Sequence, residues 1–230
     1  MSEMLEFENA SALDIALSEK VAGLLGASIE SQGSASLVVS GGRTPMGFFH
    51  LLSQQNLDWS KVTVLLADER WVEADHADSN EKLVRDNLLI NNASQAKYLA
   101  LKNSADQALD GEAECEKALA ELGAFTVLIL GMGDDGHTAS LFPGSDALEA
   151  GLDMNSGRDC IAVTPLHAPH QRMSLTLPRL LNSQQIVIHI SGAGKQQVLS
   201  QAESGDDVME LPIRSILQQQ VAPLSIYWAK

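Results

Sequence analysis

Short, near-continuously apolar runs alternate along this chain with longer amphipathic stretches. Residues 36–40, 62–67, 125–130, 160–164, 185–190 and 224–228 are apolar without the in–out alternation of a half-exposed strand. That pattern predicts strands covered on both faces. Between them, Leu13, Leu17, Val21 and Leu24 recur on one helical face. Thr44 before Pro45 predicts an N-cap with proline at the first helical position, and Phe48, Phe49, Leu51 and Leu52 follow. Asp78-Ser79-Asn80-Glu81 reads as an Asp-led capping box opening a helix to about Leu89. Ser104 with Gln107 opens another, to about Leu122. The alternation predicts an α/β fold, Rossmann-like, with a mostly parallel central sheet flanked by helices, and one domain over residues 1–230.

Composition narrows the partners. Of 230 residues, 30 are acidic and 15 basic, giving a formal charge of −15. Nucleic acid and anionic membrane surfaces both reward dense Lys and Arg, so neither is expected as a partner. Cys115 and Cys160 are far apart in sequence and form no CxxC pair, which excludes a disulfide framework and a structural zinc site. The opening stretch, Met1 to Glu6, lacks the basic and apolar regions of a secretory signal, and no apolar run is long enough to span a bilayer. These features predict a soluble, cytoplasmic protein.

In a parallel sheet, ligands bind where strand carboxyl ends open into loops. Here those loops follow Ser40, Ala67, Leu130, Thr164 and Ile190, and the unusual residues cluster in them. Ser40-Gly41-Gly42-Arg43-Thr44-Pro45 runs from a strand into a helix N-terminus, a setting for an anion. The same loop also reads as a tight turn, and it lacks the P-loop spacing. Asp68-Glu69-Arg70-Trp71-Val72 puts charges just past a buried strand, either as an edge ion pair or as site residues. Residues 131–143 carry three glycines, Asp134, Asp135, His137 and Ser140. A histidine beside a carboxylate can act as a base, with Asp135 orienting its ring. Ser140 has no nucleophile elbow around it. Ser191-Gly192-Ala193-Gly194-Lys195 places a lysine in a helix's first turn, where a bound anion would offset its repulsion from the dipole. Arg43, Arg70, Arg172 and Lys195 thus form a positive locality in a negative chain, suited to a small anion such as a phosphate. His50, His76, His167, His170 and His189 lack such a setting and read as structural, surface or supporting residues.

Together these loops resemble the 6-phosphogluconolactonase family, within a superfamily of sugar-phosphate isomerases and lactonases that includes glucosamine-6-phosphate deaminase. The resemblance is carried by residues 40–45, by 68–72 with Asp78-Ser79-Asn80, by 131–143, by Arg172-Met173-Ser174-Leu175-Thr176-Leu177 and by Gly192-Ala193-Gly194-Lys195. Leu211-Pro212-Ile213-Arg214 and Ile226-Tyr227-Trp228 are also similar. Ala168-Pro169 stands where the family often has paired prolines. The resemblance implies hydrolysis of 6-phospho-D-glucono-1,5-lactone in the pentose phosphate pathway, with no metal and no organic cofactor. It matches His137 to the general base. It places Gly41, Gly42, Arg43, Thr44, Arg172 and Lys195 near phosphate or substrate, and Asp68 and Arg70 in the active site.

The chemistry of the residues is compatible with this. A lactone is an activated ester, so water can attack it once a base removes the water proton. Backbone N–H groups of the glycine-rich loop or Arg70 could hold the oxyanion, and the sequence does not choose between them. The deaminase alternative requires a Glu five residues after the histidine and an aromatic after Asp-Glu. This chain has Phe142 and Arg70 there. A non-catalytic sugar-phosphate sensor is a further alternative, but no helix-turn-helix signal or basic DNA-binding segment flanks the domain.

Overall fold

The computed structural model describes residues 3–230. Met1 and Ser2, part of the opening stretch read above for a leader, lie outside the described residues. In chain order the elements are β1 (Glu3–Phe7), α1 (Ala10–Gln32), β2 (Ala35–Val39), α2 (Met46–Ser53), β3 (Val62–Leu66), β4 (Asp68–Arg70), α3 (Asn80–Asn87), β5 (Lys97–Leu99), α4 (Ala108–Leu119) and β6 (Val127–Leu130). There follow α5 (Leu148–Leu152), β7 (Cys160–Val163), β8 (Arg172–Leu175), α6 (Leu177–Leu181), β9 (Ile186–Ser191), α7 (Ala193–Glu203), α8 (Arg214–Leu217) and β10 (Leu224–Ala229). Among these helices none is long and apolar enough to cross a membrane.

Seven strands form a parallel sheet in the order β1-β10-β9-β6-β2-β3-β5. Its inner strands are buried along their length, which explains why they read as continuous apolar runs. The other three strands form a small sheet, β4-β8-β7, with antiparallel pairings. The strand expected over 160–164 belongs to this second sheet, not to the parallel one. The change follows from its partner, because β8 returns alongside β7 after only a short loop. A parallel neighbour would need a long crossover.

Three helix starts differ from expectation. Thr44 does not cap α2; Pro45 already has near-helical angles, and the chain enters through the Phe49 N–H to the Pro45 carbonyl at 2.8 Å. Ser79, rather than Asp78, caps α3, accepting the Lys82 N–H at 3.1 Å. The Asp78 carboxylate is turned away, 3.0 Å from His170 Nε2. Ser104 lies outside α4, whose Ala108 N–H is satisfied from another element by Gln171 Oε1 at 3.0 Å.

One buried polar pair lies under the carboxyl edge of the sheet. His189 on β9 has its Nε2 3.7 Å from Asp14 Oδ1 on α1, with the Phe48 ring of α2 packed edge-on against the imidazole. Burial raises the Asp14 carboxyl to about 6, against the opposing pull of the Phe48 amide. Burial also lowers His189 to about 4. The imidazole is therefore neutral at pH 7.

The two shifts act oppositely on stability. The raised carboxyl contributes fully below its ordinary pKa and loses that contribution as pH rises through about 6. The depressed imidazole contributes fully above its ordinary pKa and loses it as pH falls through about 4. Between those limits the slopes oppose each other. Asp14→Asn removes only the carboxyl's slope, so its melting temperature should fall about 3 °C further than wild type between pH 7 and pH 5. Scanning calorimetry at the two pH values checks this; parallel shifts in both proteins would refute the raised Asp14 carboxyl.

Candidate functional site

The carboxyl ends of β2, β6 and β9 open onto one cleft of about 250 Å³. Gly41, Gly42, Thr44, Asp68, Arg70, His137 and Lys195 line it, so most of the residues expected from sequence are brought together. An adjoining hollow of about 340 Å³ shares Asp68, Arg70 and His137 with the cleft and adds Arg172, Asp78 and His170. Arg172 therefore reaches the site from the second hollow rather than beside Lys195. Arg43 is exposed and lines neither space. Asp135 lines neither but touches His137.

The turn after β6 builds the histidine. Its Nδ1 lies 2.5 Å from Asp135 Oδ1, and its backbone carbonyl accepts the Gly133 N–H at 2.8 Å. The turn is drawn so tight that a Cβ on Gly133 would overlap His137 Nδ1 and Asp135 Oδ1. Only glycine fits there. The contact with His137 holds the Asp135 carboxyl below the ordinary carboxylate range, so it is charged at neutral pH. A charged carboxylate facing Nδ1 selects the tautomer with the proton on Nδ1 and leaves Nε2 as an acceptor. Phe142 packs its ring 4.4 Å from the imidazole, centre to centre. The neighbouring carboxylate, Asp134, pairs with Lys195 at 2.6 Å. Successive aspartates of one turn thus hold the imidazole and the lysine.

β4 supplies the other wall. Alternate residues of a strand face opposite ways, so Asp68 and Arg70 share a face and Glu69 takes the other. Asp68 is buried and accepts the Ser140 hydroxyl at 2.6 Å. Ser140 is itself fully buried, so it braces Asp68 and is not placed as a nucleophile. Arg70 sits directly opposite Arg172 across the β4–β8 ladder. Burial lowers the Arg172 guanidinium's pKa, and the Arg70 charge adds to the effect. Its Nη1 has no hydrogen-bond partner among the described residues. Like charges directly opposed in a sheet repel, and an anion between them would reverse that penalty.

Glu69 fixes this wall in place. Its carboxylate is buried and accepts the N–H groups of Arg70 (2.7 Å), Asn80 (2.8 Å) and Glu81 (2.6 Å) and the Ser79 hydroxyl (3.1 Å). It occupies the N-terminus of α3, where free donors and the dipole favour an anion. Burial nonetheless pushes the carboxyl above its ordinary pKa, with the three amides opposing. The helix so held presents Asn80 to the site: Nδ2 donates to the Asp68 carbonyl at 3.0 Å, and Oδ1 lies where a Cβ on Gly41 would have to be. Gly41 is required by that close approach.

Sequence reasoning missed Asn80, Ser191 and His189 as lining residues, and His76 and His170 beside the second hollow. The Asp78-Ser79-Asn80 motif was a usable signal for Asn80. Nothing in the sequence joins His76 to His170, because they lie on separate loops.

Comparison with known proteins gives a consistent result. The family described as "Glucosamine-6-phosphate isomerases/6-phosphogluconolactonase" matches residues 8–228. A 6-phosphogluconolactonase of Rhizobium meliloti (strain 1021) is 46% identical, over 97% of each chain. One from Pseudomonas putida is 44% identical, over 97% of this chain and 91% of its own length. The crystal structure of a 6-phosphogluconolactonase from Shewanella baltica OS155 superimposes with a TM-score of 0.98 at 44% identity, covering 100% of this chain and 98% of that one. A monomeric glucosamine-6-phosphate deaminase shares the fold, with a TM-score of 0.81 at 18% identity.

The Glu69 contacts yield a stability test. Leaving one buried donor without a partner costs about 1–3 kcal/mol. Glu69→Ala removes the acceptor for several at once and should lower unfolding free energy by at least about 3 kcal/mol. Glu69→Gln keeps one oxygen and should lose about half as much. Urea denaturation measures both, and equal stability of Ala and wild type would refute the anchoring role.

Proposed function

The chain belongs to the glucosamine-6-phosphate isomerase/6-phosphogluconolactonase family, and we propose that its cleft hydrolyses 6-phospho-D-glucono-1,5-lactone to 6-phospho-D-gluconate with His137 as general base. It is a hydrolase of the pentose phosphate pathway acting on a phosphorylated sugar lactone. The observation that carries the residue assignment is the Asp135–His137 contact at the wall shared by the cleft and the hollow. The same proposal takes residues 1–230 as one catalytic domain, supported by a buried core that runs through both sheets, and places its work in the cytoplasm.

The substrate's phosphate is held by the Gly41–Thr44 loop and Lys195, while Arg172 adds positive charge to the site from the adjoining hollow. Lys195 is held until then by exposed Asp134, a pair that a phosphate dianion can displace. Anchoring the remote phosphate orients the lactone carbonyl. His137 Nε2 takes a proton from water as the water oxygen bonds to the carbonyl carbon. The tetrahedral intermediate then expels the ring oxygen, which recovers the proton from the imidazolium. Asp135 stabilises that cation, and ring opening leaves a carboxylic acid that releases its proton to solvent as the carboxylate.

The oxyanion faces Arg70. Four of the alternative amide donors in the glycine-rich turn are committed. Gly131 N–H donates to Ser40 Oγ, Gly133 N–H to the His137 carbonyl, Gly136 N–H to the Gly133 carbonyl and His137 N–H to Asp135. Arg70 spends Nη1 on the Asp78 carbonyl at 2.6 Å and keeps further donors. The adjacent Phe142 offers the imidazole an apolar contact and no proton, which supports hydrolysis over an isomerase or deaminase reaction.

His137→Asn should lower kcat by about 10²–10⁴-fold, the usual contribution of a positioned base, with KM little changed. Asp135→Asn should lower kcat less while preserving the fold. A stopped-flow assay corrected for spontaneous lactone hydrolysis measures both; near-normal kcat in the His137 variant would remove its assignment. Lys195→Ala and Arg172→Ala should each raise KM at least about tenfold for the phosphorylated lactone, as loss of a charge-assisted contact does, and far less for glucono-δ-lactone. Equal effects on both substrates would remove either residue from phosphate recognition.

A further inference from the structure

We infer that His76, Asp78 and His170 form a binding site for a late first-row divalent transition metal at the rim of the second hollow. Hydrolysis as proposed above does not use this site. One potential ligand atom from each residue lies within 4.8 Å of the other two. His170 Nε2 is 3.0 Å, and His76 Nδ1 3.9 Å, from the same Asp78 Oδ2. The imidazoles meet edge to face, 5.4 Å apart at 77°, so they do not stack. Among the described residues no other set of His, Cys, Asp and Glu converges in this way.

The ligands come from two loops, and the one carrying His76 and Asp78 is held by its own hydrogen bonds. The Asp78 carbonyl accepts Arg70 Nη1 at 2.6 Å, and the turn before α3 is closed by His76 N–H to the Glu73 carbonyl (2.9 Å) and Ser79 N–H to the His76 carbonyl (3.0 Å). His170 arrives from the β7–β8 loop with a left-handed φ of 69°. Histidine adopts that conformation more readily than most residues. Two imidazoles and a carboxylate suit zinc, nickel or copper; magnesium and calcium prefer all-oxygen sites. Three protein ligands leave a position for water.

Two features weaken the site without removing it. The Asp78 N–H donates to His76 Nδ1 at 3.1 Å, so coordination through that nitrogen exchanges a hydrogen bond for the metal. The Arg70 charge lies close by. Both point to micromolar affinity rather than the tight grip of a structural zinc.

Zinc binding is measured by competition with a chromophoric indicator, using the purified protein without substrate. The expected result is one equivalent bound at micromolar Kd, weakened at least about tenfold in both His76→Gln and His170→Asn and unchanged by a millimolar excess of Mg²⁺. Asn tolerates the left-handed backbone at 170. Should one variant fail to fold, the other decides. Unchanged affinity in a folded variant, displacement by Mg²⁺, or loss of zinc only in His137→Asn would overturn the site.

Discussion

A buried carboxylate, Glu69, sets the geometry of the site from the side that faces away from it. Three amides and a hydroxyl converge on it, and they join β4 to the start of α3. Strand alternation then leaves little freedom. With Glu69 pointing one way, Asp68 and Arg70 must point the other. With α3 seated on Glu69, Asn80 must meet both Asp68 and Gly41. The Gly41 loop and the Asp68–Arg70 wall are thus registered to each other through a residue that lines neither cleft nor hollow.

The charge pattern follows a single logic. A chain of net charge −15 is a poor environment for an anionic substrate, so attraction must be local. Arg70 and Arg172 are directly opposed, and burial makes their repulsion harder to screen. Lys195 is paired, but only to an aspartate that is 90% exposed. The first arrangement stores demand for an anion; the second supplies a weak internal substitute. His137 differs. Its partner, Asp135, is half-exposed but contacts both the ring and the backbone of the same residue.

Much of this was legible in the sequence, for identifiable reasons. The parallel strands announced themselves as apolar runs because both faces are covered, and the site loops followed from where those runs end. His137 was legible because its partner lies two residues away, within the same turn. What escaped was long-range or short. β4 and β8 span only a few residues each, and β4 is Asp-Glu-Arg, so no hydrophobic pattern could mark it. The caps of α3 and α4 were misplaced because tertiary partners intervened: His170 draws Asp78 away, and Gln171 reaches Ala108. Both partners come from one loop, whose position no local pattern encodes. The Arg172 location was hidden for the same reason, since it depends on β8 pairing with β4.

The glycine-rich turn shows why the specificity of a motif can exceed its length. A base needs one nitrogen free and the other fixed, and a carboxylate two residues away can reach Nδ1 only if the chain folds back on itself. The fold-back puts the His137 carbonyl on the Gly133 amide, and the space left at Gly133 admits no Cβ. The same tightness turns the Gly133, Gly136 and His137 amides inward, which supports the proposal that Arg70 on β4 meets the oxyanion. On the proposed mechanism, imidazole and guanidinium then have separate duties. The wall anchored by Glu69 carries the guanidinium and the turn anchored by Gly133 carries the imidazole, and the proposed hydrolysis draws on both.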